Sequence, residues 1–96
     1  MKINLFSIYD KKAQSFSEPF KDINDATAQR TMENLLRDKR ADNLVAAHPL
    51  DYELHYFGEM DTDTGIVDQS QARKILDIIA LSKQIENEDM FKGARK

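Results

Sequence analysis

The segment KINLFSIYD, residues 2–10, constrains the fold more than any other part of the chain. Read as a strand, it puts Ile3 and Leu5 on one face and Phe6 and Ile8 on the other. A strand with apolar groups on both faces belongs in the middle of a sheet, because both of its surfaces need cover. The 96 residues amount to one domain. A chain of this length buries roughly 60–65% of its unfolded surface, which supports one modest core and leaves little room for a deep cleft.

The elements that follow build around this strand. Asp10-Lys11-Lys12 reads as a tight turn, after which AQSFSEPF alternates Phe16 and Phe20 with polar residues as the second arm of a hairpin. Pro19 lacks an N–H and therefore sits at a sheet edge or ends that strand. Over residues 22–40 the period changes: Ala28, Met32, Leu35 and Leu36 recur at helical spacing, with Asn24 or Asp25 as cap. Arg30, Glu33 and Arg37 lie on the wet side of this helix, and its basic end near Asp38–Arg40 suits the negative pole of the helix dipole. A short helical turn is expected around Leu44–Ala47. Residues Tyr52 to Met60 then form a strand with Tyr52, Leu54 and Tyr56 on one face and Glu53, His55, Phe57 and Glu59 on the other. DTDTG turns the chain, with Gly65 available for positive φ, into a short strand Ile66–Val67.

Asp68 or Ser70 is expected to cap a last helix over about residues 71–87. Its apolar residues, among them Ile75, Leu76, Ile78, Ile79, Leu81 and Ile85, cover far more than the ~100° stripe of a one-sided helix. Its second face needs a further layer or another chain, so Ile75, Ile78, Ile79, Leu81 and Ile85 are the candidate interface of a homodimer. Residues 1–88 form the expected domain, and 89–96 a polar tail that frays unless a partner orders it. The fold class is α+β: an antiparallel sheet of about four strands with two helices packed on one face, in the order β-β-α-β-β-α.

Composition narrows the chemistry. Without cysteine there is no disulfide, thiolate nucleophile or cysteine-bound zinc. No apolar run approaches the ~20 residues of a membrane span, and the N-terminus is no signal peptide. The stretch HPLDYELHYFGEMDTDTG holds both histidines and several carboxylates. Yet Gly65 stands where a calcium loop needs a third ligand, and DTDTG lies between strands rather than helices, so it reads as a hairpin turn. Glu53, His55 and Glu59 on one strand face are better read as a solvated surface than as a zinc site or an acid–base pair. There is neither a nucleophile elbow nor a glycine-rich phosphate loop. No catalysis, metal or cofactor is expected.

Nucleic acid is the remaining candidate ligand. A sheet that exposes aromatics can stack unpaired bases, and Tyr9, Phe16, Tyr56 and Phe57 lie on expected strands. Cations to meet phosphates are Lys11 and Lys12 in the first turn, Arg30 and Arg37 on the first helix, and Lys39 and Arg40 after it. Tyr9, Lys11, Lys12, Arg30, Arg37, Lys39 and Arg40 are thus the candidate DNA contacts. The net charge of −3 runs against a protein that coats DNA generally and favours a rival, an acidic protein-interaction module.

One set of motifs narrows the field further. His48, Pro49, Asp51, Tyr52 and Leu54 make a His-Pro-x-Asp-Tyr-x-Leu run that ends in a turn holding Gly58, Asp61, Thr64 and Gly65. Ahead of it stand Tyr9, Asp10, Lys12 and Ala13, and then the pair Pro19-Phe20. Over about residues 1–68 this pattern resembles the small nonstructural protein of gokushovirus-type microviruses, tailless phages with circular single-stranded DNA genomes. The resemblance implies a protein of the infected bacterial cytoplasm that is not built into the virion. It also implies a role in viral single-stranded DNA synthesis or packaging, with single-stranded DNA or viral replication and assembly proteins as partners. It carries no catalytic residues; the charged RDKRAD segment departs from the family pattern, and the last helix lies beyond the part that resembles it.

Overall fold

A computed structural model describes residues 1–94, with side chains through residue 89. Six strands form one antiparallel sheet: β1 (Lys2–Asp10), β2 (Ser15–Phe16), β3 (Phe20–Asp22), β4 (Tyr52–Asp61), β5 (Val67–Asp68) and β6 (Arg73–Asp77). Three helices complete it: α1 (Asp25–Arg37), α2 (Leu44–Ala47) and α3 (Ile78–Ala94), with a 3-10 turn over Pro49–Asp51 before β4. The α+β class and the antiparallel sheet match expectation; the counts of strands and helices do not.

The sheet is nevertheless four strands wide. β1 and β4 pair along their whole length, from Lys2 opposite Asp61 to Asp10 opposite Tyr52. Both outer positions are broken in two. β2 and β3 share the free edge of β1, and β5 and β6 share that of β4. Thus AQSFSEPF is two short strands rather than one arm. Pro19 lies in the gap, and Ser17 bridges it. The Ser17 N–H donates to the Ile8 carbonyl at 2.8 Å, and its Oγ accepts the Ile8 N–H at 3.0 Å. The Oγ of the fully buried Ser7 donates to the Ser17 carbonyl at 2.8 Å, so the break leaves no β1 group unsatisfied there.

The core lies on one face only. Phe6 and Leu54 from the sheet, Ala28, Met32 and Leu36 from α1, and Ile78 and Leu81 from α3 form one buried cluster, with Val45 and Ala46 of α2 against it. α1 begins on a reciprocal cap: Asn24 Oδ1 accepts the Thr27 N–H at 2.9 Å, and Thr27 Oγ1 accepts the Asn24 N–H at 3.0 Å. It ends on Asn43, whose amide donates to the Leu35 and Asp38 carbonyls at 2.7 and 2.8 Å.

The largest correction concerns residues 71–77. They are not the start of the last helix: Arg73–Asp77 is strand β6, and the helix begins at Ile78. The cause is a bulge. Leu54 pairs with Leu76 and His55 with Lys74, which leaves Ile75 as an extra residue. Ile75 and Leu76 therefore both pack against the core, breaking the alternation that announces a strand. Short edge strand Val67–Asp68 sits one residue later than expected. Ile78 and Leu81, candidate dimer residues, are 0% and 2% exposed in this chain's own core. Ile75 and Ile85 pack against that core, and Ile79 is half-buried. The helix runs on past the expected boundary at residue 88 to Ala94, and Arg95 and Lys96 of the expected tail lie outside the described residues.

Candidate nucleic-acid interface on the open sheet face

Residues directly opposite one another in an antiparallel sheet share a face. Phe6 opposite Tyr56 and Ile8 opposite Leu54 therefore point to the helices, whereas Ser7 opposite His55 and Tyr9 opposite Glu53 point away from them. Phe16 opposite Tyr9, Lys74 opposite His55 and Asp77 opposite Glu53 extend this second face onto the outer strands. No described helix covers it.

Four rings gather there. Tyr9 and Phe16 lie 4.8 Å apart between centroids, Phe16 and His55 5.1 Å, Tyr9 and His55 5.9 Å, and Phe16 and Phe57 6.2 Å. Phe57 reaches the group through a second bulge. Leu5 pairs with Gly58 but Phe6 pairs with Tyr56, so Phe57 is the extra residue of β4. Gly58 makes this possible, with φ of +153° and the Asp68 carbonyl oxygen 2.7 Å from where a Cβ would stand. Phe16 is 49% exposed, which gives the group an open rim.

Beside the rings runs a chain of alternating charge. His55 Nε2 is 3.1 Å from Glu53 Oε1, Lys74 Nζ is 3.2 Å from Glu53 Oε2 and 2.9 Å from Asp77 Oδ1, and Lys11 Nζ is 3.9 Å from Asp77 Oδ1. The hydrogen bond from His55, with help from Lys74, holds the Glu53 carboxyl below its ordinary range, although partial burial pushes the other way. The Asp77 carboxyl is lowered chiefly by the hydrogen bond from Lys74, and the Lys74 ammonium is raised by Asp77 and then Glu53. Between β2, β4 and β6 the surface sinks into a cleft of about 380 Å³ lined by Phe16, His55, Phe57, Gln69, Arg73 and Lys74, among others.

The structure divides the candidate DNA contacts between two layers. Tyr9, Lys11 and Lys12 lie at the open face or on the turn beside it, where Asp10 Oδ1 accepts the Lys12 and Ala13 N–H groups at 2.9 and 3.1 Å. Arg30, Arg37, Lys39 and Arg40 belong to the helix layer. There Arg37 meets Glu88 at 3.1 Å and Asp89 at 3.8 Å, and Arg40 meets Asp38 at 2.6 Å. Tyr56 is not an exposed ring: it packs against Phe6 at 5.5 Å, with its hydroxyl donating to Asn4 Oδ1 at 3.0 Å. Sequence reasoning missed Arg73 and Lys74, because a helix over 71–87 takes them away from the sheet, and Gln69, because it falls in the capping connection ahead of that helix. The polar run DQSQARK ahead of ILD was the available signal, since it separates the apolar helix from its assumed cap.

DTDTG is a hairpin turn: the Gly65 N–H donates to the Asp61 carbonyl at 2.7 Å, and Gly65 has φ of +76°. Among the described residues no three His, Asp or Glu side chains converge as a metal site, and no helix is long and apolar enough to cross a membrane. No curated protein and no solved structure matches the chain. The family model described as phage ORF5 protein matches residues 3–81, which span the whole sheet, α1, α2 and the buried start of α3; the chain therefore belongs to the phage ORF5 protein family.

Proposed function

We propose that this protein is a nonenzymatic accessory protein of a single-stranded DNA phage that binds single-stranded DNA across its open sheet face during viral DNA replication or packaging. The observation that carries this reading is the group formed by Tyr9, Phe16, His55 and Phe57 on a face that no described helix covers. Rings on a sheet offer stacking surface to unpaired bases of any sequence, while Lys11 and Lys12 beside them meet the backbone. Arg30, Arg37, Lys39 and Arg40 lie with the helices and stay outside this reading. Within the phage family, the His48-Pro49-x-Asp51-Tyr52-x-Leu54 run and the turn after it support a gokushovirus-type microvirus protein working in the host bacterial cytoplasm.

Fluorescence anisotropy of a labelled single strand at about 50 and about 200 mM salt tests the reading. Micromolar or tighter binding is expected, weakening with salt and preferring the single strand over duplex. Lys11→Glu with Lys12→Glu is expected to weaken it severalfold, and Lys39→Glu with Arg40→Glu to leave it unchanged. Absence of binding at the lower salt sinks it.

One observation favours a second reading, a homodimer that binds a viral replication or assembly protein. Leu44 and Leu50, on the helix layer, are 58% and 66% exposed. On that reading Leu44→Glu with Leu50→Glu abolishes capture of the viral replication initiator by the purified protein, and DNA affinity is nil from the start.

A further inference from the structure

We propose that the cleft between β2, β4 and β6 is a nucleotide subsite that takes one unpaired base and its phosphate. This rests on the single-strand reading above and adds to it the place where a base is held rather than merely stacked.

Three features of the cleft converge on that ligand. The first is shape. Phe16 stands at 86° to His55 and 75° to Phe57, so the rings form a corner instead of a flat shelf. A corner grips a planar group by its face and its edge together. At about 380 Å³ the cleft falls at the lower end of the roughly 300–1,000 Å³ range of small-ligand sites.

The second feature is charge. The chain carries 17 acidic residues against 14 lysines and arginines, yet no carboxylate lines this cleft, whereas Lys74, opposite His55 on the open face, does. Arg73 stands opposite Tyr56 and so turns to the helix side, where its guanidinium gives an Nη to Asp25 at 2.7 Å and lies 5.3 Å over the Tyr56 ring; the phosphate contact falls to Lys74. Lys74 is held in place by Glu53 and Asp77, so its ammonium is oriented before a phosphate arrives. An anion-bearing planar ligand fits this lining, and an apolar peptide side chain makes no use of the Lys74 ammonium.

The third feature is a fixed polar edge. Gln69 Nε2 donates to the Phe57 carbonyl at 3.2 Å, which pins the amide at the cleft and uses one of its two N–H groups. The other N–H and the amide oxygen match the donor and acceptor edge of an unpaired base. In a duplex that edge is spent on the complementary strand, so the subsite selects single-stranded DNA.

The test compares a labelled oligothymidine of about 12 nucleotides with an abasic strand of equal length and charge, by anisotropy at about 50 mM salt. The wild-type protein is expected to bind the base-bearing strand roughly tenfold tighter or more, as the loss of a base–ring contact implies. Phe57→Leu keeps an apolar side chain without a ring, and it is expected to bring the base-bearing strand down to the affinity of the abasic one. Gln69→Ala, at an exposed position where folding is not at issue, is expected to reduce the same preference. Equal wild-type affinity for the two strands overturns the subsite and leaves DNA binding through phosphates intact. A preference that survives both substitutions overturns its location. If neither strand binds, the single-strand reading falls and the subsite with it.

Discussion

The two faces of one sheet are built from neighbouring residues of the same strands, and they do opposite things. On β1 and β4 the residues Phe6, Ile8, Leu54 and Tyr56 turn to the helices, and alternate residues Ser7, Tyr9, Glu53 and His55 turn away. The helix face is apolar and closed, with Phe6, Leu54 and Ile78 fully buried. The other face pairs rings with a Glu53–Lys74–Asp77 charge chain and stays open at Phe16. A protein this small covers a single face, because two helical layers would need more chain. The face left uncovered holds rings that would be wasted there unless they met a ligand.

Truncation separates the faces most sharply. Leu54→Ala is expected to destabilise the fold by about 2–5 kcal/mol, since it opens a cavity between β4 and the helices. Phe16→Ala, on an exposed edge strand, is expected to cost about 1 kcal/mol or less. Urea denaturation midpoints measure both. DNA affinity should fall for Phe16→Ala and hold for folded Leu54→Ala, so stability and binding divide by face. Comparable stability losses would mean that the open face is a second core and not a binding surface.

Gly58→Ala comes next. It sets a Cβ 2.7 Å from the Asp68 carbonyl oxygen in a backbone conformation that side chains rarely adopt. We expect about 1–3 kcal/mol of destabilisation from the conformation, with the collision in addition. The bulge at Phe57 is the only register change between β1 and β4, so this variant should also displace Phe57 from the other rings. Denaturation midpoint and DNA affinity should then drop together. A wild-type midpoint would mean that β4 absorbs the methyl by shifting register, and that Phe57 is held by something else.

The bulges also explain what was legible in the sequence. KINLFSIYD shows apolar groups on both faces and YELHY alternates, and both segments form the strands that these patterns announce. Asn24 announces the start of α1, and Gly65 the turn before β5. Pattern reading fails where a residue is inserted. In RKILD, Ile75 and Leu76 adjoin and both face the core, so a bulged strand continues the apolar run of α3 and merges with it by eye. That one misreading removed Arg73 and Lys74 from the site and credited Ile75 to a helix. It also overstated the apolar surface of the helix, whose Ile78 and Leu81 are consumed inside the chain. Tyr9 and Phe16 were within reach of the sequence because they lie on regular strands. Their partnership with Phe57 was not, because it depends on the extra residue in β4.

The smallest expected effect tests the charge chain rather than the rings. The Glu53 carboxyl is about 16% exposed and is held below its ordinary range by His55 first and Lys74 second. A lowered carboxyl binds its proton less readily in the folded chain than in the unfolded one. Its contribution to stability is therefore complete above the ordinary carboxylate range, near about pH 4.5, and is lost as the pH falls through the lowered value. Asp77, lowered by Lys74, adds a loss of the same sign. Glu53→Gln keeps the shape of the side chain and removes its titration. Its denaturation midpoint should lie below wild type at neutral pH, by less than in either substitution above, and the two proteins should converge as the pH falls below the ordinary carboxylate range. Parallel curves over that range would mean that Glu53 keeps its charge through contacts that unfolding does not break. The open face would then be poised by Asp77 and Lys74 alone, and Lys74 would be the residue whose loss from the cleft matters.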